Sequence, residues 1–238
     1  MRIPRLFLTD DIATNNILTL SDEQSHYLKN VLRRKNNDPI VVFNKQVSFT
    51  ATIIYTEDKT HVMPIEQLIA PPTTTIKKHL FQAACQHKKM DFIIQKATEL
   101  GIDTITPILT NRCKVNLKNN EHKAERWNQI AIEACRQSQR NTVPIINNAI
   151  KIADINIDKS ACNLLLSPTS NKTLPSLTEP AGDFNIFIGP EGGFTDIEVN
   201  NLVGNGCHDI KFGPRIMRTE TAAIAVIAAI NVLWGDCK

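Results

Sequence analysis

The feature that most constrains the fold is an apolar segment near the carboxyl end of the sequence, from Ala222 to Trp234. Its apolar side chains cover all sides of the helix that it predicts, so this helix must be buried in a core or in an interface between subunits. It is shorter than the roughly 20 residues that a helix needs to cross a bilayer. The amino-terminal sequence also lacks the apolar stretch of a secretory signal. We therefore expect a cytoplasmic protein without a membrane segment.

Short apolar strands alternate with helical patterns before this helix. The strands are predicted at 80–85, 105–109, 163–166, 185–188 and 208–212. Apolar residues recur at helical spacing between residues 90 and 100, and again around 124–139. This alternation predicts an α/β fold with a mainly parallel sheet and helices on both of its faces.

The amino-terminal part of the sequence has a different pattern. Residues 39–54 contain two apolar runs around a short polar break, which is typical of a β-hairpin. The stretch rich in proline and threonine at 70–75 is typical of a linker. We therefore expect a small, mostly β domain over residues 1–72 and an α/β domain over residues 73–238.

A short helix is predicted just before the hairpin. Ser21 and Gln24 have the spacing of a capping box, in which each side chain bonds to the other residue's main chain. Leu28, Val31 and Leu32 follow at helical spacing, so we expect all three on one apolar face of this helix.

Positive charge is concentrated in the middle of the chain. Residues 76–140 hold 12 Lys and Arg against 6 Asp and Glu, whereas residues 1–75 are balanced and residues 141–238 have a net charge of −3. A polyanion such as RNA is one partner that fits this distribution, and a basic surface kept for solubility is the other interpretation. The candidate phosphate contacts are Arg5, Arg33, Arg34, Lys88, Lys89, Arg136 and Arg140.

The cysteines and histidines do not have the spacing of a metal site. The six cysteines include no CxxC pair and the six histidines include no HExxH motif. The sequence also lacks the GxSxG motif of many serine hydrolases. We expect reduced thiols that pack in the core, and no metal.

Eight of the nine glycines lie between Gly182 and Gly235, and a first loop there runs from 189 to 195. It follows a strand with the sequence GPEGG and precedes a helix that Thr195 and Glu198 can open as a capping box. Glycines let a ligand approach the main chain closely, and ligands of open α/β sheets bind beyond the carboxyl ends of strands. Without a lysine for phosphate, the loop favours a neutral adenosine. A strand-to-helix turn with no ligand is the alternative.

A second loop, from Gly213 to Thr221, precedes the apolar helix. Thr219 or Thr221 can cap this helix, and Arg218 and Glu220 lie at its start. A buried helix is a rigid support that can position catalytic side chains. The alternative is an Arg–Glu pair that only closes the helix end.

These two loops carry a resemblance to a known family. The sequences IGPEGGFTDIE and FGPRIMRTETA resemble the ribosomal RNA small subunit methyltransferase E family, the RsmE type of the SPOUT class. The segments IPRLFL, HYLKNVLR and DPIVVFN resemble its PUA-like RNA-binding domain, and KKMDFIIQKATELGIDTITPILTNR and RWNQIAIEACRQSQRNTVP resemble its central helices and strand. The family's usual Leu-Gly and Ile-Leu-Arg are here Phe212-Gly213 and Ile216-Met217-Arg218, which preserves apolar side chains.

The resemblance implies a deep trefoil knot in the carboxyl-terminal domain, a homodimer, and S-adenosylmethionine (SAM) as the cofactor. The cofactor residues that it implies are Leu166, Ile188, Gly189, Gly192, Gly193, Gly213, Ile216, Met217, Arg218 and Thr221. The implied reaction methylates N3 of a uridine in 16S ribosomal RNA, either as naked RNA or in the small ribosomal subunit.

That reaction requires removal of the N3 proton and stabilisation of negative charge on the flanking carbonyl oxygens. We expect Arg218 to supply the charge stabilisation, and Glu220 or Glu133 to accept the proton. Glu191 has an expected structural role, in which its carboxylate accepts bonds from loop amides. Two alternatives remain: a non-catalytic RNA-binding or ribosome-assembly protein, and a ribose 2′-O-methyltransferase of the same class.

Overall fold

A computed structural model describes residues 3–69, 75–115, 120–178, 180, 182–235 and 237. The chain forms two compact units: the first comprises Met1–Pro72 and Cys135–Val143, and the second comprises Thr73–Ala134 and Pro144–Lys238. No local sequence pattern predicts that residues 135–143 group with the first unit. We retain the domain boundary after residue 72 as a proposal.

The first unit is built on a five-stranded sheet with the order β1-β3-β4-β5-β2. Its strands are β1 (Arg5–Phe7), β2 (Leu18–Thr19), β3 (Pro39–Phe43), β4 (Ser48–Tyr55) and β5 (Thr60–Gln67). The hairpin predicted for residues 39–54 is confirmed, since β3 and β4 pair antiparallel. Asn44 shapes its turn, because its Oδ1 accepts hydrogen bonds from the amides of Gln46 and Val47.

Two helical segments follow β2: α1 (Asp22–His26) and a π-helical turn (Tyr27–Val31). The capping box is confirmed, since Ser21 Oγ accepts from the Gln24 amide at 3.2 Å and Gln24 Oε1 accepts from the Ser21 amide at 3.0 Å. Leu28 is fully buried as expected, but the prediction for Val31 is wrong, because 59% of its surface is exposed. A π turn holds more residues than an α turn, so it rotates Val31 away from the side on which Leu28 lies.

The second unit is a parallel α/β structure. Its sheet has the order β12-β10-β11-β6-β7-β8, with β9 also pairing with β7. The strands are β6 (Lys78–Ala83), β7 (Thr104–Leu109), β8 (Ile145–Ile146), β9 (Ile150–Lys151), β10 (Cys162–Leu166), β11 (Phe184–Ile188) and β12 (His208–Ile210). The helices are α2 (His87–Glu99), α3 (Asn120–Ser138), α4 (Asp196–Gly204) and α5 (Thr219–Leu233), with 3₁₀ turns at Ile152–Asp154 and Leu174–Ser176. The predicted fold class is confirmed.

The apolar helix α5 packs against α2, β6 and β11, and buries one face completely. The buried face contains Ala223, Val226, Ile227 and Ile230. The opposite face is half-buried, and Val232 near the end of the helix is 59% exposed. Within this single chain the expected burial on all sides is therefore reached on one side only.

The chain reaches α5 by returning from an edge of the sheet to its centre. Strand β12 lies at the edge beside β10, whereas α5 packs over β6 and β11. On the way, Lys211 pairs with Thr173 from the connection between β10 and β11. This segment is where the resemblance places the expected trefoil knot.

Candidate active site

The candidate site lies where β6, β10 and β11 end. Leu166 is the last residue of β10 and Ile188 is the last residue of β11, and Ile188 pairs with Gln82 of β6. Since these strands are parallel, their carboxyl ends lie at the same edge of the sheet. Both glycine loops leave the sheet at this edge, which is where open α/β sheets bind ligands.

The first loop turns tightly at its glycines. Gly193 has a φ of +69° and its amide donates to the Pro190 carbonyl at 2.9 Å. A Cβ on Gly189 would lie 3.2 Å from the buried Phe194 ring, whereas a Cβ on Gly193 would have no heavy atom within 4 Å. The loop is therefore packed on its Gly189 side and open at Gly193.

Three side chains form hydrogen bonds that hold the first loop: those of Thr195, Glu198 and Arg112. The predicted capping box is confirmed, since Thr195 Oγ1 accepts from the Glu198 amide and Glu198 Oε2 accepts from the Thr195 amide. The other oxygen of this buried carboxylate accepts from the Asn111 amide at 2.8 Å. Arg112 donates to the Gly192 carbonyl at 2.8 Å. These bonds fix the loop to the end of β7.

Thr219 joins the two loops. Its buried hydroxyl donates to the Gly189 carbonyl at 2.7 Å and accepts from Gln82 Nε2 at 2.9 Å. The expectation that Thr219 or Thr221 caps α5 is wrong: the N-cap is Arg218, without a side-chain cap bond. The reason is that the Thr219 hydroxyl bonds across to the first loop, and Thr221 lies inside the helix.

The second loop is open. Gly213 has a φ of +75°, and a Cβ there would meet no heavy atom within 4 Å. Ile216 exposes 86% of its surface, and Arg218 is also exposed just ahead of the buried Thr219. An exposed apolar side chain and an exposed guanidinium therefore share the loop that Thr219 anchors to Gly189.

Two carboxylates and one ammonium group lie beside the start of α5. Lys89 Nζ is 2.6 Å from Glu191 Oε1 and 4.0 Å from Glu220 Oε2. The hydrogen bond between Lys89 and Glu191 raises the pKa of the lysine and lowers the pKa of the glutamate. Glu191 therefore pairs mainly with this ammonium group, and the expected hydrogen bond from a loop amide is a smaller contribution that comes from its own main-chain N–H. Glu220 Oε2 is enclosed, and the described residues give it no hydrogen bond.

The described residues near this site do not indicate a thiol nucleophile or a metal centre. Burial raises the pKa of the Cys85 thiol to about 12, so it is not an effective nucleophile at neutral pH. Among the residues described, no cluster of His, Cys, Asp or Glu side chains could hold a metal ion. In the same part of the chain, no helix has the length and apolarity needed to span a membrane.

Comparison with known proteins identifies the family. The RNA methyltransferase domain family matches residues 72–231, and the RNA methyltransferase PUA domain family matches residues 20–62. The chain is 35% identical to the ribosomal RNA small subunit methyltransferase E of Buchnera aphidicola, over 100% of this chain and 96% of that protein. The chain belongs to the ribosomal RNA small subunit methyltransferase E family.

Two solved structures are similar to this family member along their whole length. The small subunit methyltransferase E of Neisseria gonorrhoeae, bound to S-adenosylmethionine, has a TM-score of 0.92 at 31% identity and covers 100% of both chains. A Legionella pneumophila protein in complex with SAM has a TM-score of 0.90 at 30% identity, over 99% of this chain and 100% of that one.

Of the expected catalytic residues in this methyltransferase, Arg218 and Glu220 lie together at the start of α5. Glu133 is exposed on α3. The expected cofactor residues lie at the ends of β10 and β11, in the two loops, and at Thr221 in the first turn of α5. Their roles stay predictions.

Three of the predicted RNA contacts take part in packing within the first unit. Arg5 donates to the Arg140 carbonyl, Arg140 Nε donates to Thr142 Oγ1, and the Arg136 guanidinium lies 4.6 Å from the centre of the Tyr27 ring. These contacts give each of the three a structural role.

The other predicted RNA contacts differ in their surroundings. Arg33 and Lys88 are exposed and Arg34 is half-buried, while Lys89 lies in the carboxylate cluster of the site. Contact of these side chains with phosphate stays a prediction.

Sequence reasoning missed Gln82 and Arg112, and it did not place Lys89 in the site. Gln82 carried a usable signal: a polar side chain inside the apolar strand LFQAA must find hydrogen-bond partners if it is buried. Arg112 carried no such signal, because its bond to Gly192 joins residues that are 80 positions apart.

Proposed function

We propose that this protein transfers the methyl group of SAM to N3 of a uridine in 16S ribosomal RNA. The observation that carries the proposal is the Thr219 hydroxyl, which joins both glycine loops directly beside Arg218 and Glu220. Membership in a ribosomal RNA methyltransferase family supports it. The choice of N3 rests on the resemblance of the two loop sequences.

The residues at the sheet edge fit SAM. Gly193 and Gly213 leave open space for a ligand to approach the main chain. Ile188 and Ile216 supply apolar contacts, and loop carbonyl and amide groups supply hydrogen bonds for a neutral adenosine. When bound, the cofactor supplies an electrophilic methyl group on a sulfonium.

Arg218 and Glu220 provide the groups that the acceptor base needs. Loss of the N3 proton places negative charge on the two uracil carbonyl oxygens, and a guanidinium stabilises that charge. A carboxylate within reach of N3 accepts the proton. Glu220 is better suited to this role than Glu133, because it lies in the same helical turn as Arg218 and its Oε2 has no hydrogen bond within the described residues.

Lys89 lies close to both carboxylates beside the start of α5. Its ammonium group lies between Glu191 and Glu220, closer to Glu191. This contact limits repulsion between the two carboxylates and leaves Glu220 Oε2 without a tight hydrogen bond. Within the described residues, the Oε2 lone pairs therefore have no hydrogen-bond donor and can accept a proton from the substrate.

The proposed assembly is a cytoplasmic homodimer that acts on ribosomal RNA, either naked or in the small subunit. The apolar side chains on the outer face of α5, with Val232 and Leu233 exposed, support a contact with a second copy. The match to an RNA methyltransferase PUA domain supports RNA binding by the first unit.

Transfer of labelled methyl from SAM to small-subunit ribosomal RNA tests the function. Naked ribosomal RNA and small ribosomal subunits, both from cells lacking this protein, serve as substrates, and mass spectrometry of the digested nucleosides identifies the product. We expect 3-methyluridine. Label on a ribose 2′-hydroxyl would favour the ribose methyltransferase, and SAM binding without transfer to any RNA would contradict the proposal. A pure binding or assembly protein would bind RNA without binding SAM.

A further inference from the structure

A cavity of about 410 Å³ lies within the first unit. Its lining comes from the β3–β4 turn, the end of β5 and residue 141, and includes Gln46, Val47, Ser48, Gln67, Ile69 and Asn141. All of these residues belong to that unit. The volume falls within the range of roughly 300–1,000 Å³ that small-molecule sites occupy. We call it the carboxamide cavity.

The chemistry of the lining suits an uncharged ligand. Every residue that lines the carboxamide cavity is uncharged, and three of them carry side-chain amides. A phosphate or a metal ion would need opposite charge, which this lining does not supply. Carboxamides both donate and accept hydrogen bonds, as the edges of nucleobases do.

Ser48 adds a buried hydroxyl to the lining of the cavity. Only 1% of its surface is exposed, and within the described residues its Oγ has no hydrogen-bond partner. Nearly all buried polar groups in proteins have a partner. A ligand with a polar edge in the cavity would satisfy this hydroxyl.

A hydrogen bond from Arg5 orients the side chain of Asn141. Arg5 donates to Asn141 Oδ1 at 2.9 Å and to the Arg140 carbonyl at 3.2 Å, and its guanidinium lies 4.8 Å from the centre of the Phe43 ring. Because Oδ1 accepts from Arg5, the amide nitrogen of Asn141 remains as a donor. A preoriented donor suits a ring nitrogen or carbonyl oxygen of a base.

We propose that the carboxamide cavity binds an unpaired nucleobase of the RNA substrate. Side-chain amides of Gln46, Gln67 and Asn141 bond to the edge of the base, and Val47 and the 96% exposed Ile69 contact its face. This proposal rests on the proposed function, and it adds a base-reading site to the phosphate contacts predicted for the first unit. Proteins read RNA sequence mainly at such unstacked bases.

Two full-length variants test the proposal, with in vitro transcribed small-subunit ribosomal RNA as the probe. We expect the double variant Gln46→Ala, Gln67→Ala to raise the Kd for this RNA about tenfold, because each neutral hydrogen bond contributes about two- to tenfold. Ser48→Ala should raise the Kd by about threefold without lowering thermal stability, since it removes a hydroxyl that has no protein partner. The dependence of Kd on salt should stay unchanged, because no phosphate contact is lost.

Asn30→Ala is the matched control, since it removes an exposed carboxamide of the same unit outside the cavity. Its Kd should equal that of the wild type. A wild type that methylates the RNA, with cavity variants that bind it normally, overturns the cavity assignment and leaves the proposed function intact. A changed salt dependence identifies a phosphate contact and also overturns it. A wild type that neither binds nor methylates this RNA, and that does not methylate small ribosomal subunits from cells lacking the protein, overturns both proposals.

Discussion

Replacing Arg218 with alanine is expected to lower kcat for methyl transfer by about 10²- to 10³-fold, with a much smaller change in the Kd for SAM. The physical reason is that the guanidinium acts on charge that appears on the uracil oxygens only as the N3 proton leaves. Single-turnover transfer of labelled methyl measures the rate, and isothermal titration measures cofactor affinity. The fold should be preserved, because Arg218 is exposed and caps α5 without a side-chain bond.

Arg215→Ala provides the matched control for this variant. Arg215 is an exposed arginine in the same loop, three residues earlier. If general positive charge in the loop were sufficient, both variants would lose activity equally. If Arg218→Ala methylated RNA at the wild-type rate, the role assigned to Arg218 would be wrong.

The Glu220→Gln variant is expected to lower kcat by about 10²- to 10⁴-fold, the usual contribution of a general base. Glutamine preserves the size of the side chain but does not accept the N3 proton. At higher pH the uracil loses this proton to solvent, so the activity of the variant should recover with rising pH relative to the wild type. The measurement is the pH dependence of kcat for both proteins.

Two other substitutions separate this role from structural effects. Glu133→Gln makes the same chemical change at the exposed alternative on α3 and should leave kcat unchanged. Glu191→Gln removes the other carboxylate that contacts Lys89, and should cost far less activity than Glu220→Gln. If Glu133→Gln gave the large loss and Glu220→Gln the small one, the assignment would be reversed.

Features set by neighbouring residues could be predicted from the sequence. The capping boxes at Ser21 and Thr195 depend on a side chain three positions away, and both formed. The hairpin at 39–54 and the strands of the parallel sheet follow from runs of apolar residues, and the resemblance of the two loops indicated where the site lies. In each case the signal and the structure involve the same few residues.

Features set by distant residues could not be predicted. Thr219 was expected to cap its own helix, yet its hydroxyl bonds to Gly189, 30 positions away. Lys89 was assigned to phosphate, but the fold brings it 2.6 Å from Glu191 across 102 positions. Local patterns do not carry such pairings, because the sheet topology decides which loops meet.

The central claim is that the two glycine loops together hold one SAM molecule, and titration of glycine variants with SAM tests it most directly. Gly193, Gly213 and Gly206 all have positive φ and open space around the position of a Cβ. Valine at any of them introduces backbone strain, and the strain is largest at Gly206, whose φ of +102° lies farthest from the left-handed region that other residues adopt. Only Gly193 and Gly213 lie in the two loops, so Gly206→Val is the matched control.

We expect Gly193→Val and Gly213→Val each to weaken SAM binding by more than about tenfold, since a side chain would occupy space that the cofactor needs. Gly206→Val should bind SAM as the wild type does, with a loss of thermal stability at least as large as that of the other two. Unchanged SAM affinity in Gly193→Val or in Gly213→Val would contradict a single site shared by both loops.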